Sequence, residues 1–276
     1  MKTNIPESIP RRKGARTTSG VPPEVKELLD AGELETVNLC EWLAVDHGRL
    51  GGRILRDLGW ADAEGELGAA LAAMAKASAV KRSSVVAGAI AGRAGKAGWS
   101  RAFEHLGSHR SDIARGWACE LIGRLEECAL AERLRLVKPL AADPNMGVRE
   151  SAWLAVRAAL AAELPAAIEL LVPWTAEADP NLRRFASEAT RPRGVWCRHI
   201  EALKRDPSLG LPILEPLKAD SSLYVRNSVA NWLNDASKSQ PEWVRRLVAR
   251  WLVASPTEET GHIAKRALRT LERGKA

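Results

Sequence analysis

The sequence predicts an all-α protein, a right-handed solenoid of antiparallel helical repeats. Three observations carry that expectation. Apolar residues make up 46% of the 276, and alanine and leucine dominate them, a composition that favours helices. No stretch alternates apolar and polar residues in the way of a half-buried strand. Finally, four segments align on one arginine: Asp112-Ile-Ala-Arg115, Asp143-Pro-Asn-Met-Gly-Val-Arg149, Asp179-Pro-Asn-Leu-Arg183 and Asp220-Ser-Ser-Leu-Tyr-Val-Arg226.

The elements come in chain order. Residues 1–22 are expected to form a basic, disordered tail, with Arg11, Arg12, Lys13 and Arg16 among prolines and few apolar anchors. Residues 23–276 are expected to form a single domain. Pro23 suits a first helical turn, and Val25, Leu28 and Leu29 supply its apolar stripe. Leu34 to Val45 and Leu50 to Trp60 repeat that rhythm. Between Glu64 and Trp99 the density of alanine and glycine predicts tightly packed helix pairs joined by short turns.

From Asp112 the repeat takes over. Its arginines are 34, 34 and 43 residues apart, the period of HEAT-like helical hairpins. The aspartate is expected to cap the next helix through its carboxylate. The residue before the arginine and the small residue three after it share a helix face and point into the core. The arginine itself is expected to bridge to an aspartate of a neighbouring repeat. A fifth, degenerate copy is placed on Lys265, with Leu268 at the alanine position.

Charge and motifs narrow the function. The net charge of +7 suits a polyanionic partner. No secretory or membrane-spanning segment is expected, and the four cysteines form no Cys-x-x-Cys pair, so the expected compartment is a reducing cytoplasm. His105 and His109 are four apart with no evident third metal ligand, so no metal site is expected. Phosphate-binding loops, dinucleotide fingerprints and partnered nucleophiles are absent from the sequence.

Chemistry-bearing residues are densest between Asn181 and Asp206. Seven basic residues lie between Arg183 and Arg205, against Glu188 and Glu201. Pro192 disfavours helix at Arg191, so Glu188 lies at a helix C-terminus, where the macrodipole opposes an anion. Such local conflict marks functional positions. In the next repeat Asn231 and Asp235 are i,i+4, and Asn231 has the register of Glu188, five residues after the aligned arginine. Equal registers of a solenoid line one concave face. Basic residues, tryptophans and carboxylates on such a face suit DNA carrying a cationic base, because a carboxylate can stabilise an oxocarbenium-like sugar and position water. Helix-end ion pairs and core tryptophans account for the same spacing.

At these residues the chain resembles the HEAT-like-repeat alkylpurine DNA glycosylases of bacteria, the AlkC and AlkD group, and AlkC more than AlkD. The matching pieces are Ser187-Glu188-Ala189-Thr190-Arg191-Pro192-Arg193 with Trp196 following, Leu214-Glu215-Pro216-Leu217, and Tyr224-Val225-Arg226-Asn227-Ser228-Val229-Ala230-Asn231 with Leu233-Asn234-Asp235. The resemblance covers residues 110–270 well. It implies hydrolysis of the N-glycosidic bond of cationic alkylated bases in duplex DNA, without a metal or organic cofactor, by a cytoplasmic monomer acting on the nucleoid. It implies Glu188 and Asp235 as the catalytic carboxylates, with Trp196 packing by the damaged nucleotide. Trp153 stands where close AlkC relatives carry a further active-site glutamate, and is the second aromatic expected at the lesion. Arg149, Arg191, Arg193, Asn231 and Lys238 are the residues expected to meet DNA. Two other readings use the same architecture: non-catalytic binding of damaged or branched DNA, and a protein-binding scaffold.

Overall fold

The structure, a computed structural model, describes residues 6–194 and 197–273, the side chain of Arg273 excepted. Among the described residues there are helices and turns and no strand. The helices are α1 (Pro23–Asp30), α2 (Leu39–Ala44), α3 (His47–Asp57), α4 (Glu64–Ala72), α5 (Ala79–Gly107), α6 (Asp112–Gly123), α7 (Leu130–Ala141), α8 (Met146–Ala162), α9 (Leu164–Leu171), α10 (Pro180–Ala189), α11 (Glu201–Arg205), α12 (Leu211–Leu214), α13 (Leu223–Ser237), α14 (Pro241–Ala254), α15 (Glu258–Ala267) and α16 (Arg269–Arg273). Two compact units are formed: Met1–Glu126 with Pro144–Ser151, and Glu127–Asp143 with Ala152–Ala276.

In the first unit, local sequence explains each start. Pro23 occupies the first turn of α1. Asn38 caps α2 and Asp46 caps α3, each side chain accepting from free backbone N–H groups. α3 buries Leu50, Ile54 and Leu55 on one face, and α5 packs on both α3 and α6. The alanine- and glycine-rich stretch forms α4 and, after a short turn, α5, which packs on α4 and is two helical segments joined at Gly95 (φ +51°), a conformation that only glycine adopts cheaply. The basic segment read as a tail is tied down at Arg12. Its Nε and Nη2 donate to the fully buried Glu41 at 2.8 and 2.6 Å.

His47 lies buried in this unit, its ring tilted against Trp42 and Trp117. Neither ring nitrogen has a hydrogen-bond partner among the described residues. Burial pushes its pKa down to about 4, so it is neutral at physiological pH.

The second unit shows how the repeats stack: α10 packs on α13, and α13 on α15. Across both units the signature arginine is the fourth residue of its helix, Arg115 in α6, Arg149 in α8, Arg183 in α10 and Arg226 in α13. Each guanidinium turns back to carbonyls of the preceding turn. Arg115 donates to the carbonyls of His109 and Arg110, Arg183 to those of Glu177 and Ala178, Arg226 to those of Asp220 and Ser221, and Arg149 to that of Pro144, all at 2.7–3.0 Å. The expected bridge to a neighbouring repeat forms at Arg183, which holds both carboxylate oxygens of Asp220 at 2.7 and 3.0 Å. The core positions are also as expected: Ala114 and Ala118, Val148 and Ala152, Leu182 and Ala186, and Val225 and Val229 are all buried.

Two details differ. Among the repeat aspartates, Asp179 caps its helix, whereas Asp112 accepts from the Thr36 amide and hydroxyl, and Asp220 serves Arg183 and the Ser222 amide. Capping needs the carboxylate one residue before the helix, and Asp112 and Asp220 are displaced from that position. The fifth copy is also shifted. Counting four residues into α15 reaches Gly261, with Ala264 buried three further on. Lys265 is therefore one turn out of register, and glycine at the arginine position is why the copy looked degenerate.

Candidate active site

The site is built where α10 ends against α13, inside the second unit. A helix C-terminus leaves carbonyls unpaired, and several here find donors outside the helix ladder. Thr190 Oγ1 folds back on the Ala186 carbonyl at 2.9 Å, and the Arg191 amide donates to Glu188 O at 3.3 Å. Arg157 of α8 takes the carbonyls of Ala189 and Arg191 at 2.8 and 2.6 Å, and that of Arg198 at 3.3 Å. The Trp232 indole of α13 donates to Thr190 O at 2.9 Å. Arg157 thus fixes the segment after the helix from below, and its charge offsets the dipole end that Glu188 faces. Burial pushes Arg157 down from its ordinary pKa, in part offset by Cys197. Gly194 closes over this clamp, and a Cβ there would meet Cys197 Sγ at 2.3 Å and Arg157 Cζ at 3.0 Å.

Glu188 and Asp235 are brought together and share one guanidinium. Each is 4% exposed. Arg191 Nη1 donates to Glu188 Oε1 at 2.7 Å, its Nε donates to Asp235 Oδ2 at 2.9 Å, and its Nη2 lies 2.7 Å from the same oxygen as an ion pair. Ser228 donates to Glu188 Oε2 at 2.7 Å and lies 2.8 Å from the Ser187 hydroxyl. Arg184, stacked over Tyr224, approaches the same Oε2 at 3.6 Å. Lys238 reaches Asp235 Oδ1 at 3.2 Å.

This arrangement sets the electrostatics. Burial alone would raise the Glu188 carboxyl, but Arg184, Arg191 and the hydrogen bonds from Arg191 and Ser228 outweigh it and hold the carboxyl below its ordinary value. Glu188 is therefore an anion at neutral pH. Burial lowers Arg191, yet Glu188 and Asp235 more than restore it, and its pKa is raised.

The remaining expected residues fall in different places. Asn231 Oδ1 accepts from Arg269 at 3.0 Å. Arg193 donates from Nη2 to Ser239 at 2.7 Å, and its buried Nε has no partner among the described residues. Arg191, expected at the DNA backbone, has its guanidinium committed to the two carboxylates. Arg149 belongs to the first unit, at its turn. Trp153 is 4% exposed, with its ring 5.8 Å from the Arg157 guanidinium. Trp196 lies outside the described residues. In the first unit Asp57 joins His105 and His109 with ligand-type atoms within 4.8 Å of one another, the third ligand that the sequence did not reveal. His109 Nδ1 there accepts from the Ser111 amide.

Sequence reasoning missed Arg157, Ser228 and Arg184. A signal existed for Arg157, which lies four residues after Trp153 and next to Val156 on a helix face otherwise apolar.

Known proteins resemble this chain in sequence and in fold. Residues 148–271 match the profile of the DNA alkylation repair enzyme family. The protein YhaZ of Bacillus subtilis (strain 168), itself uncharacterised, is 42% identical over 147 residues, which are 53% of this chain and 40% of that one. Among solved structures, the Pseudomonas fluorescens alkylpurine DNA glycosylase AlkC, bound to DNA containing an abasic site analogue, superposes with a TM-score of 0.64 at 26% identity, over 82% of this chain and 60% of its own. AlkD2 from Streptococcus mutans shares the fold, with a TM-score of 0.54 at 23% identity over 65% of this chain and 87% of its own. The chain thus spans well under two thirds of the YhaZ length and 60% of AlkC. The resemblance carried by the motifs at Glu188 and Asp235 is the one that the family profile and the AlkC fold bear out.

Proposed function

We propose that the protein is a DNA glycosylase of alkylation repair, which hydrolyses the N-glycosidic bond of cationic alkylated bases in duplex DNA. The observation that carries this reading is the pair of buried carboxylates, Glu188 and Asp235, held by Arg191 at the junction of two repeat helices. A cationic base is already a good leaving group. As the bond from C1′ breaks, its electron pair neutralises the ring, and the base needs no proton donor. What the site has to supply is negative charge for the sugar as it becomes oxocarbenium-like, and an acceptor for the proton of the water that attacks C1′. Anionic carboxylates suit both tasks, and a Glu188 held below its ordinary pKa suits neither proton donation nor a neutral role. In this reading the duplex runs along the face carrying Asn231, Asp235 and Lys238.

The test is base release from methylated duplex DNA by the wild type, Glu188→Gln and Asp235→Asn. Each substitution is expected to lower the rate of release at saturating enzyme by about a hundredfold or more while DNA binding persists. The same family position filled by the buried Trp153 favours a second reading, DNA binding without excision. Salt-sensitive binding with no release of any methylated base by the wild type would select it.

A further inference from the structure

Among the described residues the two carboxylates face three cations, and those cations are held very differently. Arg191 and Arg184 are largely covered, their side chains 11% and 12% exposed, and Lys238 is 41% exposed. Glu188 has both oxygens occupied by largely covered donors, Arg191 on Oε1 and Ser228 on Oε2. Asp235 Oδ2 is likewise filled by Arg191. Asp235 Oδ1 is different. Its partner is the ammonium of Lys238, at 3.2 Å, on a flexible side chain at the C-terminal end of α13. With two negative and three positive charges the free site carries net positive charge, and would repel a cationic base or sugar. One cation has to leave before the substrate enters, and Lys238 is the one placed to do so.

We propose that Lys238 is a displaceable counter-ion: it occupies Asp235 Oδ1 in the free protein and is drawn to a DNA phosphate on binding, which frees that oxygen for the substrate's positive charge. The inference rests on the glycosylase reading and adds to it a way of selecting duplex over free cations. The ammonium is 41% exposed, so water already screens its side of the pair with the buried Asp235, and a duplex phosphate array competes for it through counterion release. Arg191, anchored at three points, stays behind. It is a positioning residue that keeps Asp235 and Glu188 aligned while Lys238 moves.

The experiment compares wild type, Lys238→Met and Lys238→Arg on two duplexes, one with a cationic pyrrolidine abasic analogue and one with neutral tetrahydrofuran at the same position. Affinities are measured over a range of salt. In the wild type the cationic duplex should bind more tightly. Lys238→Met should make the logarithmic salt slope shallower by about one for both duplexes. The preference for the cationic duplex should change by less than about twofold, since in the complex the lysine has already left Asp235. Lys238→Arg should restore the slope. An unchanged slope with a several-fold rise in cation preference would mean that the lysine stays on Asp235, and would overturn the proposal. Two unchanged quantities would also overturn it, leaving Lys238 a bystander. A wild type with no cation preference would remove the glycosylase reading itself, and that outcome is visible without any variant.

Discussion

Replacing Arg191 by methionine keeps much of the side-chain volume and removes the one charge that joins Glu188 to Asp235. Two hydrogen bonds and a further ion-pair contact to two buried anions are lost together. Asp235 keeps Lys238, and Glu188 keeps Ser228 with Arg184 at 3.6 Å, so neither anion is left wholly alone. Removing one partner from a buried ion pair costs about 3–5 kcal/mol, and the partners that remain place the expected loss near the lower end, about 3 kcal/mol. The pH dependence identifies the cause. In the wild type Glu188 sits below its ordinary pKa, so its stabilisation is present above pH 4.5 and is lost as pH falls through the folded value. Without Arg191, two of the influences that lower Glu188 are lost against the same burial, so its pKa rises above the wild-type value. The variant therefore loses less stability than the wild type as pH falls. Urea unfolding at pH 8, 7, 6 and 5 should therefore show a deficit, relative to wild type, that shrinks toward pH 5. Contributions from His47 and His109 are common to both proteins and cancel. A deficit below about 1 kcal/mol, or one equal at pH 8 and pH 5, would refute the claim that Arg191 neutralises a buried Glu188.

Other perturbations read other parts of the structure. His47 has a folded pKa of about 4 against an ordinary 6.5, so the wild type should lose stability as pH falls from 6.5 to 4, by up to about 3 kcal/mol, and His47→Leu should flatten part of that slope in urea titrations. Arg183→Ala removes the grip on both oxygens of Asp220 and on two turn carbonyls, and should cost about 2–4 kcal/mol in thermal or urea unfolding, whereas Arg135→Ala, in an exposed pair with Glu132, should leave the unfolding transition almost unmoved. Gly194→Ala pushes a methyl group into Cys197 and Arg157; it should lower base release more than it lowers DNA binding, because the segment bearing Arg191 shifts.

The architecture was legible because it is local. An arginine four residues into a helix, with a small apolar residue three later, recurs in the sequence as plainly as in space, and so do the proline and asparagine starts. Glu188 and Asp235 were legible too, the first from its conflict with a helix end, the second from its i,i+4 spacing to Asn231. The partners of arginines were not. Arg191 and Arg193 flank Pro192 and look alike in sequence, yet Arg191 reaches two carboxylates from different helices while Arg193 reaches Ser239. A long side chain chooses its partner by tertiary geometry, 44 residues away for the Arg191–Asp235 contact, and composition does not encode it. The setting of Trp153 was hidden for a related reason. Sequence register does not say which neighbour a ring meets, and here it lies buried beside Arg157.

The arginine that folds back on its own preceding turn has a consequence for how such a chain can change. Each helix start carries its own clasp, so the stretch between one helix pair and the next can lengthen without shifting the register of the later helices. The step from Arg183 to Arg226 is nine residues longer than the two before it, and Arg226 still grips the turn before its own helix as Arg183 does. The long step is also the one that contains Glu188, Arg191, Arg193 and the carbonyls held by Arg157. A self-fastening module tolerates an insertion, and the insertion is free to acquire chemistry that the module itself does not need.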